Sequence, residues 1–195
     1  MSKFKLLILV DLQGDFIDGA LGSSEAKAIV PKVVEKLNNY PDKSNTLLLY
    51  TKDTHYDDYM DTLEGKNLPV PHCIENTPGW SINREIKDTV RANRFLTYSS
   101  DKIIKSRIYK NTFGSDVLMK FLEEHKDNIE EVELCGLVTN ICLVSNALLT
   151  RMVLPNTKIS VDASCCAGVT VEKHKAALEV MKSCQIDVIN EEQII

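Results

Sequence analysis

The sequence predicts an α/β protein whose parallel sheet is covered by helices on both faces. Short apolar runs rich in Leu, Ile and Val recur along the chain, and stretches with helical periodicity lie between them. This alternation of strand and helix predicts right-handed crossovers and parallel strands. The runs are nearly all apolar, which is typical of strands that are buried on both faces.

The individual elements follow from these patterns. We expect strands at Lys5–Val10, Thr46–Tyr50, Lys102–Tyr109, Val132–Cys135, Lys158–Val161 and Ile186–Ile189. Helical periodicity predicts helices at Glu25–Asn39, Ile82–Ala92, Ser115–Lys126, Ile141–Met152 and Val171–Ser183. The segment Lys52–Trp80 is polar and rich in Asp, Pro and Gly, so we expect a long irregular loop there. Loops of that length in compact proteins are usually functional.

Length, charge and cysteine content limit the class of protein. A chain of 195 residues that is 44% hydrophobic suits one domain with a sizeable core, spanning residues 1–195. The formal net charge of -5, with scattered Lys and Arg, argues against binding to nucleic acid or an anionic membrane. A small molecule is therefore the expected partner. The six cysteines lack the spacing of a disulfide framework, so we expect reduced thiols and a cytoplasmic location.

Chemically active side chains follow four of the predicted strands. Asp11 follows the first strand, Asp53 and His55 follow the second, Lys110 follows the third, and Cys142 lies in the turn after the fourth. Ligands of open parallel sheets bind at the carboxyl ends of the strands. We therefore expect these groups to converge on one site.

Cys142 is the candidate nucleophile, although most buried cysteines are inert packing residues. It lies at a predicted helix start, where the helix dipole favours a thiolate, and Lys110 could add positive charge. The backbone N–H groups of Val138 and Cys142 could stabilise an oxyanion. Asp11 could take the thiol proton and return it to a leaving amine. Taken alone, Asp11 could instead cap a turn and Lys110 could be a solvated surface residue.

Asp53, His55 and His72 offer one carboxylate and two imidazoles. These ligands suit Zn or another divalent metal with coordination positions left open. Hydrogen bonding within the loop is the alternative interpretation. A Gly-rich phosphate loop does not follow the first strand, and we expect no organic cofactor.

Five segments in a fixed order carry a family resemblance. They are VDLQGDF around Asp11, TKDTH around Asp53, LPVPHCIENTPG around His72, YKNTFGSD around Lys110 and CGLVTNICLVSNAL around Cys142. With these segments the chain resembles the isochorismatase-like cysteine hydrolases, the family that contains the nicotinamidases. The resemblance covers nearly the whole chain. It implies a Rossmann-like three-layer αβα sandwich with about six strands, and a homo-oligomer.

The resemblance also implies a catalytic triad, which would be Asp11, Lys110 and Cys142. It further implies a cis peptide bond at Leu137–Val138, beside the oxyanion turn, and hydrolysis of a small primary amide such as nicotinamide. The substrate pocket would be walled by Phe16, Trp80 and their neighbours.

The sequence departs from the family pattern at three places. Asn140 stands where the nucleophile turn usually carries Asp. Where nicotinamidases often present one more His after the Asp-x-His pair, this chain offers Asp61 and Glu64, so Glu64 is a further metal-ligand candidate. Lys110 precedes Asn-Thr-Phe rather than the usual run, and Lys105 is the alternative active-site lysine.

Two other functions are consistent with the resemblance. Some members of the family hydrolyse the vinyl ether of isochorismate, and a catalytically silent member could serve as a binding protein. The presence of Cys142 favours covalent amide chemistry over both.

Overall fold

The computed structural model describes residues 3–193 and has a seven-stranded sheet at its centre. Its strands are β1 (Phe4–Val10), β2 (Thr46–Asp53), β3 (Ile103–Ile104), β4 (Arg107–Lys110), β5 (Ile129–Leu137), β6 (Lys158–Ala167) and β7 (Asp187–Ile189). Their order is β3-β4-β2-β1-β5-β6-β7, and every neighbouring pair is parallel except β3 and β4. The predicted α/β fold is confirmed.

Helices flank the sheet. They are α1 (Gly14–Ile17), α2 (Ser24–Asn39), α3 (Leu63–Asn67), α4 (Arg84–Ala92), α5 (Asp116–His125), α6 (Val144–Val153) and α7 (Val171–Ser183). Side chains cap the starts of several, because an oxygen of Ser23, Asn83, Ser115 or Thr170 accepts a hydrogen bond from a first-turn N–H. Among the described residues, no helix is long and apolar enough to cross a membrane.

The core is centred on β1. Its residues Leu6–Val10 are at most 1% exposed, since β2 and β5 pair with its two edges and helices cover the sheet. This burial accounts for the continuous apolar run at the start of the sequence. It also places the residue after Val10 at the centre of the sheet's carboxyl edge.

The predicted third strand, Lys102–Tyr109, is in fact a hairpin of β3 and β4, which accounts for the seventh strand. Lys105 and Ser106 form its turn, and both have positive φ angles, of 49° and 63°. Two consecutive residues of this kind are the signature of a tight two-residue hairpin. The sequence signal was weak because neither residue is Gly, Asn or Asp.

Two other elements differ from their predicted forms. The loop Lys52–Trp80 contains the short helix α3, which begins after Thr62, whose hydroxyl accepts a hydrogen bond from Gly65 N. The predicted helix Ile141–Met152 begins instead as a π-helical turn at Thr139–Leu143 and continues as α6. Such turns concentrate at functional sites.

Gly136 is expected to be essential for packing β5 against β1. Its φ is 129°, and a Cβ there would overlap with the carbonyl oxygen of Val10. Gly136→Ala should therefore lower the free energy of unfolding by about 3 kcal/mol or more, measured by urea denaturation. Gly14→Ala is the matched control, because its Cβ would meet its nearest neighbours at 3.4 Å, and it should cost about 1 kcal/mol or less. Equal effects of the two changes would contradict this account.

Candidate active site

The carboxyl ends of four neighbouring strands bring the predicted groups together. Asp11 follows β1, Asp53 ends β2, Lys110 ends β4, and Cys142 lies in the π-helical turn that follows β5. All four residues are buried. Because β4, β2, β1 and β5 are adjacent in the sheet, these side chains face a single site.

The Lys110 ammonium lies at the centre of this group. Its Nζ is 2.6 Å from Asp11 Oδ2, 3.3 Å from Asp53 Oδ1 and 3.5 Å from Cys142 Sγ. Burial and the Asp11 carboxyl both raise the pKa of the Cys142 thiol. The thiol and the Asp11 carboxyl therefore both contact the same cation. Lys105 lies in the β3–β4 turn, where it is exposed, and does not take part.

Burial controls the protonation of the triad. It raises the pKa of the Cys142 thiol well above its ordinary value, although the Lys110 charge opposes this effect. It also raises the pKa of the Asp11 carboxyl, against the same opposing charge. Burial would lower the pKa of Lys110, but the charges of Asp11, Cys142 and Asp53 raise it overall. The thiol is therefore protonated, and it lies near a basic carboxylate and a permanent cation. This arrangement favours transfer of the thiol proton to Asp11, whereas the helix start predicted a preformed thiolate.

Polar neighbours hold Asp11 and Asp53 in place. The Thr51 hydroxyl donates to Asp11 Oδ1 at 2.7 Å, and Asp11 itself adopts a φ of 47°, an uncommon conformation for a residue other than glycine. The Gln13 amide clamps the end of β2, because its Oε1 accepts from Asp53 N at 2.7 Å and its Nε2 donates to Asp53 O at 2.8 Å. These contacts fix two carboxylates that face Lys110.

A second group of ligand atoms adjoins the triad through Asp53. Asp53 Oδ2 is 3.1 Å from His55 Nε2 and 3.5 Å from His72 Nε2. Glu64 Oε1 is 3.8 Å from each of these imidazole nitrogens. The four ligand atoms all lie within 4.8 Å of one another. Asp61, the other candidate in this stretch, is exposed and is not part of the group.

The chemistry of this set fits a divalent metal. Two imidazole nitrogens and two carboxylate oxygens suit Zn²⁺ and its neighbours in the first transition row. The Nδ1 atom of His72 is 2.8 Å from the Val70 carbonyl oxygen, an orienting contact that leaves Nε2 facing the other ligands. Burial would raise the pKa of Asp53, but hydrogen bonds from His55 and His72 lower it overall, so this ligand is ionised.

Metal binding by this group can be tested directly. We expect the protein to bind one zinc ion per chain in equilibrium dialysis, and His72→Ala should weaken that binding by at least about 100-fold, because one of the four ligands is lost. Asp61→Asn is the matched control and should leave zinc affinity within about twofold. Zinc binding that is equal in the wild type and in His72→Ala would contradict the assignment.

A cavity of about 340 Å³ opens onto both groups. Cys142 lies in its wall together with the metal-ligand candidates Asp53, Glu64 and His72. Most of the remaining lining is apolar, contributed by Phe16, Leu21, Ala26, Leu68, Phe113, Leu137, Val138, Ile141 and Val169. Mostly apolar walls with a few convergent polar groups are typical of small-molecule sites.

The structure places the two predicted pocket aromatics differently. Phe16 lines the cavity, and its ring contacts the His72 ring edge-on at a centroid distance of 5.5 Å. Trp80 lies outside it, because its indole N–H donates to Thr54 Oγ1 and its ring stacks on Tyr109. Trp80 instead lines a separate cavity. The predicted role of Trp80 as a wall of the substrate pocket is therefore corrected.

Backbone and amide contacts shape the nucleophile turn. The peptide bond between Leu137 and Val138 is cis, at the position that the resemblance implies. The Asn140 side chain accepts a hydrogen bond from Val169 N at 2.9 Å and so ties the turn to the loop after β6. The buried Asn146 amide donates to the carbonyl oxygens of Cys142 and Phe113, at 2.8 Å and 3.0 Å.

Three of these supporting residues were not found by the sequence reasoning. Gln13, Thr51 and Asn146 are fully buried polar residues that hold the acids and the nucleophile turn. A signal was available for each: Gln13 and Thr51 lie two positions from Asp11 and Asp53, and Asn146 lies one helical turn after Cys142. A polar residue at such a position in an apolar segment indicates a buried hydrogen bond.

The comparisons with known proteins agree with this geometry. Residues 5–193 match the Isochorismatase domain. No curated protein matches the chain. Among solved structures, a zinc complex of the pyrazinamidase of Pyrococcus horikoshii is 26% identical, with a TM-score of 0.69 and coverage of 95% of this chain and 98% of that one.

Two further solved structures share the fold. A Bacillus subtilis nicotinamidase is 25% identical with a TM-score of 0.73, covering 94% of this chain and 98% of its own. A pyrazinamidase/nicotinamidase from Streptococcus mutans is 23% identical with a TM-score of 0.75, covering 95% and 99%. With an Isochorismatase domain over nearly its whole length and this fold around the site, the chain belongs to the isochorismatase family of hydrolases.

Proposed function

We propose that this protein is a cysteine hydrolase that cleaves the C–N bond of a small, nicotinamide-like amide through a thioester on Cys142. The observation that carries the proposal is the contact of Lys110 with both the Cys142 thiol and the Asp11 carboxyl, with Cys142 in the wall of a largely apolar cavity. The likeness to a pyrazinamidase and a nicotinamidase at 26% and 25% identity supports an amide substrate.

The first half-reaction forms the thioester. Asp11 accepts the Cys142 proton, and the nearby Lys110 ammonium stabilises the thiolate while it attacks the amide carbonyl carbon. The carbonyl π electrons move to oxygen, where the backbone N–H groups of Val138 and Cys142 stabilise the oxyanion. Asp11 then returns its proton to the amide nitrogen, the C–N bond breaks and ammonia leaves.

The second half-reaction releases the acid. Water enters the position that ammonia has left, and Asp11 takes one of its protons as the oxygen attacks the thioester carbonyl. The collapse of this second tetrahedral intermediate breaks the C–S bond and forms the carboxylic acid. The sulfur recovers its proton from Asp11, so the enzyme returns to its starting state. Lys110 stays protonated throughout and balances the charge.

The cavity favours a compact, planar substrate. Phe16, Phe113 and Leu137 provide apolar walls, and the metal-ligand group lies in the same cavity as Cys142. Asp53, His55, Glu64 and His72 would hold a divalent ion. When bound, such an ion would supply a Lewis acid that orients a ring nitrogen or a water molecule. The zinc in the pyrazinamidase structure supports zinc as the first candidate.

A product assay tests the proposal. Ammonia release is measured for a panel of small amides headed by nicotinamide, with Cys142→Ala as the blank, and pyruvate release is measured with isochorismate. We expect rapid ammonia release that depends on Cys142. Pyruvate release from isochorismate without ammonia release from any amide would contradict the proposal and indicate vinyl ether hydrolysis.

A further inference from the structure

A second cavity, of about 150 Å³, lies apart from the catalytic cavity, beside β2 and β4. Its cationic lining consists of Lys52 on β2, Lys87 on α4 and Arg107 on β4. Trp80 and Tyr109 form its aromatic part, with their rings stacked at a centroid distance of 5.8 Å. None of its lining residues lines the catalytic cavity, so the two are separate sites.

Lys52 is the unusual residue of this cavity. It is only 5% exposed, and its Nζ lies 2.9 Å from the centroid of the Trp80 ring and 5.5 Å from that of Tyr109. Aromatic faces attract a cation, but they compensate its lost hydration less than a carboxylate does.

No ion pair found among residues 3–193 involves Lys52, Lys87 or Arg107. The half-buried Lys36 and the buried Lys110 differ in this respect, because Lys36 pairs with Glu133 and Asp162, and Lys110 pairs with two aspartates. Buried charges are normally paired. The cavity is therefore lined by three positively charged side chains, and no carboxylate among the described residues forms an ion pair with any of them.

Nearby acids do not neutralise the cavity. Asp88, on the same helix as Lys87, pairs with Arg84 and Arg91. Among residues 3–193, Glu75 forms no ion pair with Lys52. The electrostatic field in the cavity is thus positive, and its low-dielectric aromatic walls strengthen that field.

We propose that this cavity is a binding site for a small multivalent oxyanion of the phosphate type, either free phosphate or the phosphoryl group of a small ester. Arg107 can hold two oxygens of such a group with its planar guanidinium, while Lys52 and Lys87 contribute point charges. The volume is below the range of sites that enclose a whole organic ligand, which suits a single anionic group. This binding is independent of the amidase chemistry at Cys142.

Trp80 makes the site directly observable, because it is the only tryptophan of the chain. The protein is titrated with inorganic phosphate at constant ionic strength, with chloride as the reference anion. Binding is measured by isothermal calorimetry, and the emission of Trp80 is recorded in parallel as a local readout. We expect one saturable site per chain and a change in Trp80 emission over the same concentration range.

Variants locate the bound phosphate. Arg107→Gln and Lys87→Gln should each weaken phosphate binding, Arg107→Gln by at least about tenfold, because the charge-assisted hydrogen bonds of the guanidinium are lost. Arg84→Gln removes a fully exposed cation of the same helix as Lys87 and should leave the affinity within about twofold. Lys52→Met keeps the length of the buried side chain and should abolish the emission change. A far-ultraviolet circular dichroism spectrum establishes that each variant is folded.

Two results would overturn the proposal. One is the absence of saturable phosphate binding by calorimetry. The other is binding that Arg107→Gln and Lys87→Gln leave unchanged, since phosphate would then occupy the metal-ligand group or another place. A comparison of inorganic phosphate with methyl phosphate separates the two sources of the ligand: tighter binding of the ester would assign the site to phosphorylated small molecules, and tighter binding of the ion would assign it to free phosphate.

Discussion

Cys142→Ala is expected to lower kcat for amide hydrolysis by about 10⁴-fold or more, which is the scale of loss when a covalent nucleophile is removed. The Sγ atom of Cys142 is the reacting atom in the proposed mechanism, and it lies 3.5 Å from Lys110 Nζ in the wall of the cavity. Alanine cannot form the thioester. Ammonia release with nicotinamide as the first substrate measures the effect.

The controls for this change separate chemistry from folding. Alanine removes one sulfur from a buried position, so the variant should fold, and calorimetry should show that substrate binding is retained. Cys184→Ala is the matched thiol control, because Cys184 is half-buried and does not line the cavity, and the kcat of this variant should match that of the wild type. Wild-type turnover in Cys142→Ala would exclude the covalent mechanism.

Asp11→Asn is expected to lower kcat by about 10²- to 10⁴-fold with a much smaller change in KM, because Asp11 moves the proton in both half-reactions. An amide has the same shape but cannot accept the thiol proton. The change also leaves Lys110 with Asp53 as its remaining carboxylate partner. Steady-state kinetics of ammonia release measure the effect.

Thr51→Val is the matched variant for this prediction. It keeps the Asp11 carboxyl but removes the hydroxyl that donates to Asp11 Oδ1 at 2.7 Å. Loss of one such positioning hydrogen bond should lower kcat by about tenfold or less. If Asp11→Asn lowered kcat no more than Thr51→Val does, Asp11 would be a positioning residue and not the proton carrier.

The fold could be predicted from the sequence wherever burial controls the residue pattern. The β1 segment Lys5–Val10 is almost wholly apolar because two strands and covering helices surround it. The hairpin at Lys105–Ser106 could not be read in this way. Its positive φ angles depend on the pairing of β3 with β4 and not on residue types that favour such a turn.

The convergence of the candidate catalytic residues could be predicted because parallel strands end at one edge of the sheet. Asp11 follows β1, Lys110 ends β4 and Cys142 lies in the turn after β5, so the sheet topology brings them together. The choice between Asp61 and Glu64 had no such basis, since they lie only three positions apart in a predicted loop. The short helix α3 turns Glu64 towards the imidazoles and leaves Asp61 exposed.

Trp80 shows the limit of reasoning from position in the chain. It follows the segment that contains His72, but its side chain points to the cavity on the far side of Thr54, where Lys52 lies over its ring. Side-chain direction in an irregular loop has no sequence period from which it could be inferred.

Assembly into a homo-oligomer and a cytoplasmic location stay predictions.

The thioester is the central claim, and competition between water and hydroxylamine tests it most directly. The best amide substrate of the panel and the methyl ester of the same acid are incubated separately with the enzyme at one hydroxylamine concentration. The amounts of hydroxamate and acid that form are then measured. A common acyl group on Cys142 predicts the same hydroxamate-to-acid ratio from both substrates, because the leaving group departs before the products diverge. Different ratios from the amide and the ester would show direct attack on each substrate and would contradict the mechanism.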